Sequence, residues 1–332
     1  MMTKHLPGKR LPGPPSSLWL ARPPAVALVC LGLFLLCCLF VPRFASVGNL
    51  ENVLRVAAIL CIVACGQAIV IILGGIEFSF GASVALASVV TVMTLPTAGP
   101  IGGLMAGGAT VIGVGAMNGW LVGRMGLPPV IVTLGTLMMA SGTAAWLVGG
   151  LPLDAPPSAA FSWPARGRVL GIPVPILAAM LACVVLHALL AHGRLGRLWY
   201  HVGANPLAAR LAGIDVARVT LLGYAVAGVF CAVGAIILTS RVASGQPALA
   251  PNLPFETIAA CAIGGLPLSG GRGHVLQVVF GVLTVAMLNN AVVLINLPVA
   301  WQLVLLGLAV LAAVGLQKDW AVLKRLAGRN LR

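Results

Sequence analysis

Long apolar stretches alternate along this chain with short segments that carry nearly all of its charge. A helix needs about 20 apolar residues to cross the hydrocarbon of a bilayer. Stretches near that length recur at 25–41, 53–73, 82–95, 101–122, 130–148, 173–190, 219–238, 257–266, 275–294 and 299–316. They are continuous rather than alternating in polarity, so they read as helices and not as the strands of a barrel. Only those two structures satisfy their own backbone in lipid. The pattern therefore predicts an all-α polytopic membrane protein with about ten transmembrane helices. The third and eighth stretches are short, which points to helices buried steeply or broken at membrane depth.

The polar interruptions orient the chain. With both termini cytoplasmic, the inner segments hold most of the Lys and Arg, among them Arg124, Arg194, Arg197, Arg210, Arg218 and Arg272. The outer segments keep only Arg43, Arg166, Arg168 and Arg241. This asymmetry follows the positive-inside rule. It predicts a cytoplasmic tail at 1–24, a membrane domain at 25–317 with its longest inner loop at 191–218, and a second cytoplasmic tail at 318–332. Arg55 lies inside the second stretch, four residues after Glu51, so the two can pair along one helix face.

Composition agrees. The chain is 60% hydrophobic and 8% charged, and its formal net charge is +14. Basic loops against an anionic leaflet account for that charge without nucleic acid. The eight cysteines fall in or beside the apolar stretches, without the spacing of a disulfide framework or a metal site, and read as small packing residues. The first stretch is long and no cleavage site follows it, so it reads as an uncleaved helix rather than a signal peptide.

Glycine carries the next layer. Gly115, Gly119 and Gly123 recur every four residues and line one helix face, which lets another backbone approach closely. Residues 74–90 (GGIEFSFGASVALASVV) and 264–280 (GGLPLSGGRGHVLQVVF) align without gaps at a spacing of 190 residues. They match at Gly74/Gly264, Gly75/Gly265, Ser79/Ser269, Gly81/Gly271, Leu86/Leu276 and Val89/Val279. In each, a helix is expected to end at Gly-Gly, with Ser79 or Ser269 placed to cap the next one. Paired helix breaks in corresponding positions of two repeats point to a translocation path. Gly74, Gly75, Glu77, Ser79 and Gly81 in the first break, and Gly264, Gly265, Ser269 and Gly271 in the second, are its candidate residues.

Absent motifs narrow the chemistry. None of the four lysines sits in a phosphate-binding loop, so the LSGGR string at 268–272 is a helix break rather than part of a nucleotide site. Of the six acids only Glu77 and Glu256 are candidates for membrane depth. An ion-coupled carrier keeps relays of such groups inside its spans, so the energy for transport is expected from a partner. No catalytic or metal constellation appears, which argues against an enzyme. The loop 191–218 supplies a docking candidate. Asn205 and Pro206 start a short helix, Leu207, Ala208, Ala209, Arg210, Leu211 and Ala212 continue it, and Gly213 sits where a left-handed cap ends it. It either docks a cytoplasmic partner or rests on the membrane surface.

Several strings together resemble the membrane-spanning permease subunit of bacterial ribose-type (monosaccharide) ABC importers. Gly74–Gly81 is similar to that family's GGIDLSVG. Asn118–Gly142 resembles its NGLLV and PPFIVTLGT blocks, and Gly193–Ile214 its cytoplasmic GRYIYAIGGNEEAARLSGI. SRVASGQP at 240–247, IGGLPLSGGRG at 263–273, Leu288–Asn290 and Trp301–Gln302 match further blocks, in the family's order. The resemblance implies an inner-membrane permease without chemistry or cofactor of its own. It implies a second permease subunit, identical or not, a periplasmic solute-binding protein, and a cytoplasmic ATPase that uses the ATP. It carries the family's coupling helix onto Asn205–Gly213. Glu77 replaces the family's Asp, and Phe78 and Phe80 replace smaller residues, which implies a narrower or differently shaped path. The implied cargo is a monosaccharide such as ribose. A branched-chain amino acid, a nucleoside or a signalling furanone is the alternative for the same machine, and an ion-coupled secondary carrier the alternative outside it.

Overall fold

The computed structural model describes residues 23–298 and 300–329. The basic residues Lys4, Lys9, Arg10, Arg22 and Arg332 lie outside it, as does the start of the last apolar stretch at Val299. The described chain is mostly helical, and its strands are two-residue pairs.

Among the described residues six helices are long and apolar enough to cross a membrane. They are α2 (Val47–Ile72), α3 (Phe80–Gly123), α4 (Pro129–Leu147), α6 (Val174–Ala191), α9 (Val216–Val242) and α11 (Val275–Leu294). Shorter apolar helices are α1 (Pro23–Phe40), α10 (Leu253–Ile263) and the first part of α12 (Ala300–Arg329). Helix α12 runs past 316 through the segment read from sequence as a tail.

Helix α3 is two helical arms in one run of residues. Gly99 has φ 70° and ψ 178° and is followed by Pro100, so the chain turns there. The arms 80–98 and 100–123 then fold back on each other. A Cβ on Gly103 would sit 2.9 Å from the Thr91 carbonyl oxygen, and one on Gly107 would collide with the Thr91 side chain. The third and fourth apolar stretches are thus the two arms of a helical hairpin.

Helix α2 is the axis of the molecule. Its most apolar window is 89% buried, and α6, α9, α10 and α11 pack around it. Composition does not set this apart, since α6 is as apolar and only 28% buried; α2 is covered because the other helices pack around it. The glycine stripe finds its partner on α9. A Cβ on Gly115, Gly119 or Gly123 would lie 2.8, 2.8 and 2.5 Å from the carbonyl oxygens of Tyr224, Leu221 and Ala217. The close approach is intramolecular, and α3 and α9 form the most extensive helix pair.

The segment after α4 holds β1 (Leu153–Asp154), the short helix α5 (Ala159–Arg166), and the hairpin of β2 (Arg168–Val169) and β3 (Ile172–Pro173). β1 pairs with β4 (Ser244–Gly245), which follows α9. Between α6 and α9 lie two helices where one was expected: α7 (Arg194–Ala204) and α8 (Pro206–Leu211). Leu195, Leu198, Trp199 and Val202 give α7 an apolar face at helical spacing. Trp199 is 0% exposed, packed against the body of the protein.

Candidate functional site

Both Gly-Gly pairs end a helix in a Schellman motif, in which a left-handed residue lets two amides return to the last turn. At the end of α2, Gly74 has φ 83°, its N–H donates to the Ile71 carbonyl, and the Gly75 N–H donates to that of Val70 (2.9 Å each). At the end of α10, Gly265 has φ 87°, its N–H donates to the Ala262 carbonyl, and the Leu266 N–H donates to that of Cys261 (3.0 Å each). The left-handed residues are Gly74 and Gly265, so the two motifs superpose one residue away from the gapless match of the sequences. Gly264 is instead a packing glycine, pressed on the Gln277 carbonyl of α11.

The serines do not cap as expected. Ser79 stands before α3 without a side-chain capping bond: its hydroxyl is turned to Glu77 Oε1, to which it donates (2.6 Å), and its oxygen accepts from Asn118 Nδ2 (3.1 Å) rather than from the helix N–H groups. Ser269 lies in the turn after the second break. His274 caps α11, its ring nitrogen accepting from the Leu276 N–H at 3.2 Å and its own N–H donating to Gln277 Oε1 at 2.9 Å.

Glu77 is 1% exposed, and its carboxylate accepts from Ser79 and from Asn118. Its Oε1 also accepts the Ser79 N–H (2.7 Å), and its Oε2 accepts from Asn118 Nδ2 of α3 (2.9 Å). Gln67 of α2, with its amide turned to suit both partners, holds the Glu77 backbone by accepting from N–H (3.2 Å) and donating to C=O (3.0 Å). The carboxylate thus ties the end of α2 to both arms of α3. Beside it Tyr224 Oη and Asn118 Oδ1 are buried without a hydrogen-bond partner among the described residues. Tyr224 Oη lies over Gly75, where a Cβ would stand 2.5 Å away. Gly81 packs on the Ala250 carbonyl ahead of α10. Phe80 is buried in the core, and the Phe78 ring is tilted against that of Phe255, centroids 6.1 Å apart.

The two breaks meet at a third element that the sequence did not single out. The Gly271 N–H donates to the Ile72 carbonyl at 2.8 Å, joining the second break to the end of α2. A Cβ on Gly270 would lie 2.8 Å from Gly74 Cα and 3.1 Å from the Gly203 carbonyl oxygen. One on Gly271 would lie 2.8 Å from Ala204 Cα, and one on Gly203 would collide with the Ile72 carbonyl oxygen. The end of α7 is therefore wedged between both breaks at backbone-to-backbone distance, and Tyr200 of α7 donates to the Gly273 carbonyl at 2.7 Å. Only Asn205 separates this clasp from α8.

Helix α8 has the expected caps. Asn205 Oδ1 accepts from the Ala208 N–H (3.0 Å), Pro206 opens the helix, and Gly213 has φ 82°. Ala209 is buried against the body, while Leu207, Ala208, Arg210 and Leu211 are exposed.

The cysteines are free. Cys61, Cys65 and Cys183 bring their sulfurs within 4.8 Å of one another between α2 and α6. Three thiolates there would need compensating charge, and no Lys or Arg is among the described buried residues. As neutral thiols they pack well.

The comparisons with known proteins fit this geometry. Residues 49–314 match the family model described as branched-chain amino acid transport system / permease component. The chain is 36% identical over 293 residues to the ribose import permease protein of Bacillus subtilis (strain 168), covering 87% of this chain and 91% of that protein. It is 31% identical over 283 residues to the L-arabinose transport system permease protein of Escherichia coli (strain K12), covering 85% and 86%. It is 30% identical over 285 residues to the D-allose transport system permease protein of the same strain, covering 83% and 85%. No solved structure matches. The apolar helices, the match along most of the chain and these relatives place it in one group: the chain belongs to the membrane-spanning permease family of the bacterial ribose-type ABC importers.

Proposed function

We propose that this chain forms one half of an inner-membrane translocation path for a monosaccharide such as ribose, and that the glycine clasp couples that path to a separate ATPase. The observation that carries the reading is the wedge of Gly203 and Ala204 between the two helix breaks. Helix α8 is too short to persist alone. The exposed Leu207 and Leu211 give it an apolar face for a groove in the ATPase, and movement of α8 reaches Gly74 and Gly270 through one residue, Asn205. The ATP is consumed by that partner. A periplasmic solute-binding protein delivers the cargo, and a second permease subunit, identical or not, completes the path.

Replacing Leu207 and Leu211 together by Asp tests the docking. Each buried leucine contributes about 1.5–3 kcal/mol. The double variant is therefore expected to bind the ATPase about 100-fold more weakly or worse, with unchanged membrane levels. Undiminished co-purification would mean that α8 rests on the bilayer.

The relatives' names support a sugar, and the family model's description favours a branched-chain amino acid as the second reading. Competition of uptake by ribose, arabinose, allose and leucine separates the two. The topology proposed is ten spans with both termini cytoplasmic, which counts the two arms of α3 and the helices α1, α10 and α12. Reporter fusions at Asp154 and Asp319 are expected on opposite sides, periplasmic and cytoplasmic, and the same side for both would sink it.

A further inference from the structure

Arginine is scarce on the outer segments, yet most of what is there converges on one place. Arg55 of α2, Arg166 in the last turn of α5 and Arg241 in the last turn of α9 line a single cavity of about 270 Å³ together with Ile59, Pro175 and Ile237. Ile59 and Ile237 lie one helical turn deeper than Arg55 and Arg241 and are 6% and 3% exposed. The cavity thus has a cationic rim over an apolar floor. Glu51 is the acid beside it, and its carboxylate pairs with Arg55 (2.6 Å) and with Arg168 from β2. Among the described residues Arg166 and Arg241 have no ion-pair partner.

A second, independent feature surrounds this rim. Trp163, three residues before Arg166 on α5, is 54% exposed, and the tip of the β2–β3 hairpin carries Leu170 at 97% exposure with Val169 and Ile172 also exposed. An exposed tryptophan beside arginine, with aliphatic side chains at the same edge, is the composition of a membrane–water interface. The cavity therefore opens where headgroups meet acyl chains.

We propose that this cavity binds the phosphodiester headgroup of an anionic phospholipid of the phosphatidylglycerol class. The guanidinium forks of Arg166 and Arg241 match phosphate oxygens in pairs, with Arg55 shared between Glu51 and the ligand. The acyl chains continue over Ile59 and Ile237. A free anion or an acidic protein side chain would use the rim and leave the floor unused, which is why lipid is the favoured occupant. Bound there, the headgroup bridges α2, α5 and α9 at one membrane surface.

The test uses the purified full chain and native mass spectrometry with phosphatidylglycerol or phosphatidylethanolamine supplied in micelles. Retention of phosphatidylglycerol over phosphatidylethanolamine is expected. Each basic residue near an anionic lipid surface contributes about fivefold. Arg166→Gln with Arg241→Gln is accordingly expected to lower phosphatidylglycerol retention roughly 30-fold, while Arg194→Gln, outside the cavity, lowers it by no more than about fivefold. Arg166→Lys with Arg241→Lys keeps the charge and is expected to fall between, which guards against a folding defect. Millimolar inorganic phosphate or glycerol phosphate is expected not to displace the lipid. Equal retention of both lipids, unchanged retention in the Gln variant, or displacement by glycerol phosphate would each overturn the proposal. So would a Gln variant that keeps its lipid but loses docking of the solute-binding protein, since the arginines would then serve an acidic protein surface.

Discussion

Gly203→Ala is expected to abolish uptake while leaving the ATPase bound. In a helix interior this exchange ordinarily stabilises, by about 1 kcal/mol. Here the added methyl falls on the Ile72 carbonyl oxygen and 2.9 Å from the Gly271 amide nitrogen. Both are backbone atoms, and they are already bonded to each other at 2.8 Å. Neither can move as a flexible side chain could. The end of α7 must therefore withdraw from the breaks, at the ~1–3 kcal/mol that overpacking costs, and the direct route from α8 to Gly74 and Gly270 is lost. The exposed face of α8 is untouched, so association persists. The expected result is at least a tenfold fall in uptake, with co-purification of the ATPase within twofold of the parent. Gly135→Ala on α4 and Gly32→Ala on α1, where an added Cβ meets nothing within 4 Å, are the controls and are expected to transport normally. Normal uptake by Gly203→Ala would mean that force reaches the path through α6 and α9 alone.

The membrane class of this protein was legible because lipid is an unforgiving solvent, and it writes its demand into every apolar run. The hairpin arms of α3 and the pairing of Glu51 with Arg55 were equally readable, since both depend on local spacing. Helix α7 was missed although Leu195, Leu198, Trp199 and Val202 repeat at helical intervals. Its basic residues and glycines made the segment read as loop. Ser79 misled because capping is a competition. The buried carboxylate of Glu77 draws the Ser79 O–H toward itself, and Asn118 Nδ2 then donates to the oxygen that would have accepted from the helix terminus. The match of 74–90 with 264–280 counted shared letters, whereas the fold aligns Gly74 with Gly265, the positions that need positive φ. The clasp itself could not be read at all, because Gly203 gives no sign of which distant backbone it touches. The arginine cavity hid for the same reason: its three guanidinium groups come from α2, α5 and α9.

Asn118→Leu is expected to damage the protein more than Glu77→Gln, although the second removes a charge and the first does not. Glu77 takes Ser79 N–H and O–H on one oxygen, at 2.7 and 2.6 Å, and Asn118 Nδ2 on the other at 2.9 Å. In Glu77→Gln the amide oxygen keeps both Ser79 donors, and the new NH2 group faces Asn118. Asn118 Oδ1 has no partner in the parent, so the Asn118 amide turns over and accepts, giving up its 3.1 Å bond to Ser79 Oγ. Uptake is expected within threefold of the parent. Asn118→Leu leaves one carboxylate oxygen buried with no donor, which costs about 1–3 kcal/mol or more for a charged group. Thermal stability in detergent is expected to fall by several degrees, with uptake reduced at least tenfold. Asn118→Asp sets two carboxylates against each other and is expected to be worse still. Combining Asn118→Asp with Glu77→Gln exchanges acid and amide across the same contact, so the pair is expected to recover most of the loss, which makes the interaction between the two positions measurable as a double-mutant cycle. If Glu77→Gln alone abolishes uptake at normal membrane levels, the charge acts on the cargo or the cycle itself, and the carboxylate is more than a strut for the first break.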